Sequence, residues 1–258
     1  MAEEAAFYEA LGGGGFRATE ATAGPWSDRA QHLGPVSALL VRALEACEPT
    51  PGAAIRRVSV DVLGPVPVGE LQVRGEVLRP GRSVQLVAAE LAAGGRTCAT
   101  ARAWRMVRGD SAAVAGGERA PLGDPESWPE VPGIDGWNRG YSAAMEWRAG
   151  PGAEPGRARM WARQRIPLVA GEEPSPLQRL FAVVDSTSGA SGRASMADWS
   201  YANTDLTVHL HREPAGEWVG LDAETTIGPD GGGVAASEVH DLTGSVARSA
   251  QALLITKR

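Results

Sequence analysis

An internal repeat constrains the fold of this chain more than any other feature of its sequence. Gly95–Ala103 and Gly244–Ala252 are similar stretches, and each follows a run of alternating residues and a turn. The order of elements before these endings also agrees between the halves: a helix-like stretch, a strand-like stretch and a Gly-Glu pair at Gly69 or Gly216. Repeated order of this kind predicts one structural unit present twice, a helix packed on an antiparallel sheet.

Length, charge and cysteine usage narrow the class of protein. With 258 residues, the chain has room for one large domain or for two of about 110 to 130 residues. The formal net charge of −6 argues against a nucleic-acid partner. Cys47 and Cys98 are the two cysteines, which favours a reducing cytoplasm over a disulfide scaffold. No apolar run approaches the roughly 20 residues of a membrane span, and the acidic start Met1–Glu4 does not resemble a signal peptide. These features predict a cytoplasmic protein without a membrane partner.

The first half predicts a core helix followed by strands. Val36, Leu39, Leu40, Ala43, Leu44 and Cys47 form one apolar stripe at helical spacing, so the helix is predicted over Pro35–Cys47. Period-2 alternation predicts the strands Val58–Val62, Leu71–Leu78, Ser83–Leu91 and Thr97–Val107. The glycine run Gly12–Gly15 lacks the spacing of a phosphate-binding loop and is interpreted as a turn or flexible loop.

A connection and a second unit follow. Residues 108–141 show no periodicity, and Trp128 and Trp137 are predicted to anchor them to the surface. We therefore divide the chain into an N-terminal unit (1–107), a connecting segment (108–141) and a C-terminal unit (142–258). The second unit is predicted to contain a helix capped by Ser175, spanning Pro176–Asp185, and the strands Met145–Arg148, Ala158–Ile166, Ala202–Arg212, Trp218–Ile227, Val234–Val239 and Ser245–Thr256.

Two polar residues occupy apolar surroundings and are the first candidates for chemistry. Asp185 continues the edge of the apolar stripe of its helix, so its carboxylate should be partly desolvated, which raises its pKa and suits it to act as a base. Gln251 shares one strand face with small and apolar residues and needs a buried partner or a water. The structural alternatives are a helix cap for Asp185 and an amide bonded to backbone for Gln251. Arg102 occupies the repeat position of Gln251, so the halves have diverged there.

Several segments resemble the thioesterase II (TesB-like) type of acyl-CoA thioesterase, a family within the double hot-dog superfamily. The resemblance covers most of the chain apart from the connection. It rests on His32–Ser37, Val60–Pro67, Gly81–Val84, Asn203–Arg212, Glu217-Trp218 and Ala250–Leu254. It implies an α+β fold of two tandem hot-dog units, each a central helix wrapped by an antiparallel sheet, with the two sheets continuous.

The resemblance also implies an activity and a site. The family hydrolyses acyl-CoA with water held by an aspartate, a glutamine and a threonine; Asp185 and Gln251 match the first two, and Asn203 stands at the third. Backbone N–H groups near Gly34, Val36 and Ser37, or at the start of the second helix, are expected to stabilise the oxyanion. Arg212 is expected to contact coenzyme A phosphates, as Arg102, Arg248 and Lys257-Arg258 also could. No metal or organic cofactor is implied, and a homodimer or larger homo-oligomer is expected.

Other functions were weighed against this one. A double hot-dog hydratase would carry an Asp and a His joined by an Asn-Pro-containing loop, which the sequence lacks. His209 and His211 share a strand face with Asp205, but a metal site needs a further convergent ligand. The alternative that remains is a degenerate hot-dog protein that binds acyl-CoA or acyl chains without hydrolysis, because an asparagine replaces the threonine of the family.

Overall fold

A single large antiparallel sheet dominates the computed structural model, which describes residues 5–134 and 137–258. The sheet has fourteen strands in the part of the chain that is described. The strands are β1 (Tyr8–Gly12), β2 (Gly15–Ala18), β3 (Ala53–Val62), β4 (Glu70–Arg79), β5 (Val84–Ala93), β6 (Arg96–Val107), β7 (Glu130–Val131), β8 (Met145–Ala149), β9 (Arg157–Gln164), β10 (Trp199–Asn203), β11 (Asp205–Leu210), β12 (Val219–Ile227), β13 (Gly232–Asp241) and β14 (Gly244–Lys257). The helices are α1 (Leu33–Ala46), α2 (Pro176–Val184) and the short α3 (Thr187–Ala190).

The strand order shows how two units become one sheet. The order is β1-β2-β4-β5-β6-β3-β11-β14-β13-β12-β9-β8-β7, and β10 pairs with β14 beside β11. Strands β3 and β11 pair at the centre, with Val60 opposite Leu206, and so join the two halves. Helix α1 packs on β4, β5 and β6, whereas α2 packs on β9 and β12. The repeat therefore predicted the architecture correctly: two helix-and-sheet units share one continuous sheet.

The two helices lie antiparallel against each other, and this contact positions the site. The first turn of α1 meets the last turn of α2, where a Cβ on Gly34 would collide with the backbone oxygen of Ala182. The hydroxyl of Ser37 lies 2.9 Å from the carbonyl oxygen of Phe181. Glycine at position 34 therefore allows the backbones to approach more closely than any side chain would permit. Consequently, the end of α2 faces the beginning of α1.

The apolar faces predicted from periodicity form the core. Leu39 and Leu40 of α1 and Phe181 of α2 are buried between the helices and the sheet. In β14, Gln251 and its neighbours at period-2 spacing are buried, whereas the intervening residues are exposed. Burying side chains of this size contributes about 1.5–3 kcal/mol each, which is the main force holding the helices on the sheet.

Some boundaries differ from the sequence predictions. Helix α1 begins two residues earlier, at Leu33, with His32 as its N-cap. The single strand predicted over Ala202–Arg212 is interrupted at Thr204, which separates β10 from β11. The glycines at 12–14 have positive φ and form the turn of the β1-β2 hairpin, whose strands the sequence analysis did not identify.

The repeat equivalence of Gln251 and Arg102 is wrong. Gln251 is buried on the inner face of β14, but Arg102 is exposed on the outer face of β6. Because side chains alternate between the faces of a strand, an alignment error of one residue exchanges inside for outside. The inward positions of β6 near this point are Ala101 and Ala103.

The connection is anchored by the two tryptophans, as predicted. Trp128 packs with Trp161 and Trp218 in a separate apolar cluster. Trp137 stacks on the ring of His32, with 5.7 Å between ring centroids. Within the described ranges, no helix has both the length and the apolar character that crossing a membrane requires.

Candidate active site

Asp185 lies where the chain leaves α2, and its carboxylate is almost completely buried. It is the C-terminal capping residue of the helix and is 5% exposed. The antiparallel packing of the helices directs this carboxylate at the first turn of α1, where N–H groups are not used by the helix itself. The backbone N–H groups of Leu33 and Gly34 accordingly act on Asp185 as hydrogen-bond donors.

Two amide side chains from the sheet meet the same carboxylate. Asn203, at the end of β10, donates from Nδ2 to Asp185 Oδ1 over 2.9 Å. Gln251, on the inner face of β14, donates from Nε2 to the same oxygen over 2.8 Å. Strands β10 and β14 pair with Asn203 opposite Leu253, which brings the two amides side by side. The structure thus brings together the three residues that the sequence singled out as catalytic.

The pKa of Asp185 is raised from 3.8 to about 7. Burial is the main cause, because it removes water from the charged form. The hydrogen bonds from Asn203, Gln251, Gly34 and Leu33 lower the pKa and offset part of this effect. A carboxyl group with a pKa near neutrality is suited to exchange a proton during catalysis.

His32 contacts Asp185 from the other helix. Its Nδ1 lies 3.2 Å from Asp185 Oδ2 and accepts a hydrogen bond from the N–H of Gly34 over 3.0 Å. The imidazole stacks on Tyr141, with 4.0 Å between ring centroids and 6° between ring planes. Tyr141 is itself fixed by donating to the carbonyl of Ala182 over 2.7 Å. The ring is therefore held in one orientation.

His32 is not among the residues that the sequence predicts for the site. It belongs to the motif preceding the first helix, and the histidines with a candidate chemistry in the sequence are His209 and His211. The available signal was its position: a polar residue immediately before a helix occupies the N-cap and lies among the free N–H groups of the first turn. Proximity to Asp185 depends on helix pairing, which the sequence pattern does not specify.

A cavity of about 500 Å³ opens beside the carboxylate. Asp185, Asn203 and His32 lie on its wall, and most of the remaining wall is apolar. Both halves of the chain and the connection contribute to this apolar lining, which includes Trp26, Leu33, Val36, Val62, Leu63, Val66, Ile134, Trp137, Met196 and Tyr201. The volume and lining are those of a site for a small organic molecule with a substantial apolar part.

Two of the predicted substrate-binding residues, Ser37 and Arg212, do not line this cavity. Ser37, expected to contribute its backbone N–H, lies inside α1 and is fully buried, and its hydroxyl bonds to main-chain carbonyls at the contact between the helices. Arg212 forms a bidentate ion pair with Asp241, at 2.6 and 2.7 Å, and also donates to the carbonyl of Gly244. These bonds hold the Arg212 guanidinium at the turn between β13 and β14. Of the other two, Val36 lies on the cavity wall and Gly34 lies behind His32.

No group of three or more metal-ligating side chains occurs among the residues that the structure describes. His209 is exposed on β11, and His211 bonds to the carbonyl of Ser245 through Nε2. These two histidines and Asp205 therefore form no metal-ligating group in the described part of the chain.

The fold and the cavity define a class of protein. Two helix-and-sheet units on one continuous antiparallel sheet, with a buried site where the helices meet, constitute a double hot-dog protein. The family model for the acyl-CoA thioesterase N-terminal domain matches residues 22–106, and the model for the acyl-CoA thioesterase C-terminal domain matches residues 116–255. The chain belongs to the acyl-CoA thioesterase family.

Solved structures share this fold at low sequence identity. A hot-dog-fold protein of unknown function from Alicyclobacillus acidocaldarius has a TM-score of 0.77 at 15% identity, covering 96% of this chain and 95% of its own. The tesB protein of Mycobacterium avium subs paratuberculosis has a TM-score of 0.70 at 17% identity, with coverage of 96% and 95%. The acyl-CoA thioesterase II TesB2 of Mycobacterium marinum has a TM-score of 0.67 at 15% identity, with coverage of 97% and 95%. A search of curated proteins finds no match.

Proposed function

We propose that this protein hydrolyses acyl-CoA thioesters, using water activated by Asp185. The observation that carries the proposal is a buried carboxylate with a pKa near 7 on the wall of a largely apolar cavity, in a chain of the acyl-CoA thioesterase family. The apolar wall accepts the acyl chain of the substrate. The Asp185 carboxylate lies on the polar part of the same wall, with Asn203 and His32. Membership of the family supports the reaction type; the roles of individual residues are proposals.

The reaction proceeds by attack of water on the thioester carbon. Asp185 removes a proton from the water, and the water oxygen forms a bond to the carbonyl carbon of the thioester. This bond places negative charge on the carbonyl oxygen. When this charge returns to the carbon, the C–S bond breaks and the thiolate of coenzyme A leaves. The proton held by Asp185 passes to the thiolate, which leaves a carboxylic acid, a thiol and the original carboxylate.

Asn203 and Gln251 orient Asp185 and the water. Both amides donate to one carboxylate oxygen, which fixes the carboxylate plane. Gln251 Oε1 is buried and has no hydrogen-bond partner among the described residues. A buried acceptor of this kind gains from a water donor, which suits the amide to hold the nucleophile. Asparagine provides both a donor and an acceptor, so its presence at position 203 is compatible with this role.

Positive charge beside the residues of the cavity wall supports a substrate that carries phosphates. The Arg258 guanidinium lies 5.3 Å from the ring of Trp26, a residue of the cavity wall. Arg96 packs on Gly64 and donates to the carbonyl of Pro65, both also on the wall. Neither arginine is ion-paired with a carboxylate in the part of the chain that the structure describes. We propose that these side chains, in place of Arg212, meet the phosphates of coenzyme A.

Release of free thiol from short-, medium- and long-chain acyl-CoAs tests the proposal. We expect turnover by the native protein and a preference for chains that fill the cavity. The same measurement on Asp185→Asn should give no detectable turnover. An absence of turnover across the panel, together with ligand-induced thermal stabilisation, would instead support an acyl-CoA-binding protein. Undiminished turnover by Asp185→Asn would show that the site is wrong.

A further inference from the structure

The oxyanion of a thioester hydrolysis needs a hydrogen-bond donor, and the expected donors at this site are already engaged. The negative charge that develops on the carbonyl oxygen is stabilised by fixed N–H or O–H groups. At the beginning of α1, the N–H groups of Leu33 and Gly34 are directed at Asp185 and His32. Pro35 has no N–H. From Val36 onward, each N–H is bonded within the helix.

The side-chain amides of the site are engaged as well. Asn203 Nδ2 and Gln251 Nε2 both donate to Asp185 Oδ1, and each also lies within reach of a main-chain carbonyl. Redirecting either amide toward the substrate would remove a donor from a buried carboxylate. A polar hydrogen is therefore required from another group on the cavity wall.

The tautomer of His32 places one such hydrogen in a side chain of the cavity wall. Because Nδ1 accepts the hydrogen bond from the N–H of Gly34, a neutral ring carries its hydrogen on Nε2. The same Nδ1 lies 3.2 Å from Asp185 Oδ2, within reach of the proton that this carboxyl group carries after it has acted as the base. His32 is part of the cavity wall, and its Nδ1 is directed at Asp185. Its other ring nitrogen, Nε2, has no hydrogen-bond partner among the described residues.

The ring is neutral and fixed. Burial lowers the pKa of His32 to about 3, so the imidazole is uncharged at neutral pH. The rings of Tyr141 and Trp137 both stack on the imidazole and hold it in one orientation. A neutral imidazole held in this way is a known type of electrophilic donor, and its fixed position avoids reorganisation during the reaction.

We propose that His32 is a catalytic residue whose Nε2–H donates a hydrogen bond to the carbonyl oxygen of the bound thioester and stabilises the oxyanion formed by water attack. This inference rests on the proposed hydrolase activity. His32 forms no covalent bond and gains no proton in the step. Asp185 remains the proton acceptor. Asp185 therefore acts on the attacking water, and His32 acts on the carbonyl oxygen that becomes charged.

Nitrogen-15 NMR of the intact protein tests the tautomer without any activity. The chain has four histidines, and the signals of His32 are identified by their loss in His32→Asn. At pH 7 to 8 we expect a neutral ring with hydrogen on Nε2 and no hydrogen on Nδ1. A ring with hydrogen on Nδ1, donating to Asp185, would leave an acceptor facing the cavity and would overturn the proposal.

Kinetics of two substitutions test the donor itself. In His32→Asn, the side-chain oxygen can still cap α1 and accept from Gly34, but the hydrogen at the Nε2 position is lost. We expect kcat to fall by about 10²–10³-fold with KM changed less than about threefold. His32→Gln reaches further and places an amide hydrogen near the Nε2 position, so at least about tenfold of the lost kcat should return.

The outcomes separate this inference from the proposed function. His209→Asn, on the exposed face of β11, is the matched control and should keep the native kcat. Native turnover with an unaffected His32→Asn would overturn the role of His32 alone. No turnover by the native protein would overturn the hydrolase proposal and this role with it. Thermal unfolding of each variant shows whether it is folded. If His32→Asn is not folded, the loss of signals in His32→Gln identifies the ring instead, and the NMR measurement on the native protein then decides the tautomer.

Discussion

The antiparallel helix pair creates two similar junctions, and only one of them opens on the large apolar cavity. At the first, Asp185 at the end of α2 meets the N-terminus of α1. At the second, Glu45 near the end of α1 meets the N-terminus of α2, accepting from the Ser175 hydroxyl over 2.9 Å and from Gln178 over 2.7 Å. Both carboxyl groups have a raised pKa because they are buried. The repeat thus places an acidic group at each helix end.

A buried arginine makes the difference between the junctions. Arg105 of β6 is 4% exposed and lowers the pKa of Glu45 by its charge, whereas no cation acts in this way on Asp185 among the described residues. Its guanidinium also donates to the carbonyls of Leu44, Cys47 and Glu48 at the end of α1. The second junction is therefore a structural contact, in which a buried arginine holds the end of α1 and hydrogen bonds from Ser175 and Gln178 hold Glu45. At the first, hydrogen bonds offset only part of the burial of the carboxylate and no described cation acts on it, which costs stability and provides a base.

The largest expected effect is on turnover. Asp185→Asn should lower kcat/KM by about 10³-fold or more, because it removes the proton acceptor while keeping the shape of the side chain. Glu45→Gln is the matched change at the other junction and should leave kcat/KM within about threefold of the native value. Equal losses in both variants would indicate that the two junctions do not differ in function. Thiol release measured at several substrate concentrations gives the comparison.

The next largest effect concerns the stability of the second junction. Arg105→Met should lower the free energy of unfolding by about 3–5 kcal/mol, because several main-chain carbonyls and the buried Gln85 amide oxygen lose their donor. Arg102→Met, a change on the exposed face of the same strand, should stay within about 0.5 kcal/mol. Urea unfolding measures both. A small effect at position 105 would contradict the structural role assigned to this arginine.

The pH dependence of stability distinguishes the junctions further. The folded-state pKa of Asp185, about 7, exceeds its ordinary value of 3.8, so the folded protein binds the proton more tightly than the unfolded chain does. Stability from this group is present at low pH and is lost as the pH rises from about 4 to about 7. Asp185→Asn should therefore be more stable than the native protein above pH 7, by about 2–4 kcal/mol.

Unfolding curves at pH 5, 6, 7 and 8 test this expectation. Glu45→Gln should show a change of the same sign but smaller size, because Gln178, Ser175 and Arg105 offset the burial of Glu45. A difference between Asp185→Asn and the native protein that does not change with pH would show that Asp185 does not titrate in this range.

The smallest expected effect is on the pH profile of Asn203→Ala. Loss of its hydrogen bond destabilises the charged form of Asp185 and raises the pKa of that carboxyl group. The pH at which kcat/KM reaches half its plateau should move upward from about 7 by about 0.5–1. Asn203→Thr restores a hydroxyl donor and should move it less. A downward movement would contradict the assignment of Asn203 as a donor to Asp185.

Polar residues on apolar faces were the best guide to the site. Asp185 on the stripe of α2 and Gln251 on the inner face of β14 were both found by periodicity, since a polar residue where the pattern requires an apolar one needs a buried partner. Periodicity does not identify the partner. Ser37 is near the beginning of α1 as predicted, yet its hydroxyl bonds to the opposite helix. Arg212 is in the expected segment, but Asp241 holds it elsewhere.

By itself, the sequence determined the two units, the helices with their buried faces and most strands, because these depend on local spacing and turn residues. The tertiary structure alone decided that the helices pair antiparallel, closely enough for Gly34 to meet Ala182, and that His32 therefore lies against Asp185. It also decided which face Arg102 occupies. Contacts between distant segments depend on packing geometry and register, and an error of one residue in a strand reverses the direction of every side chain.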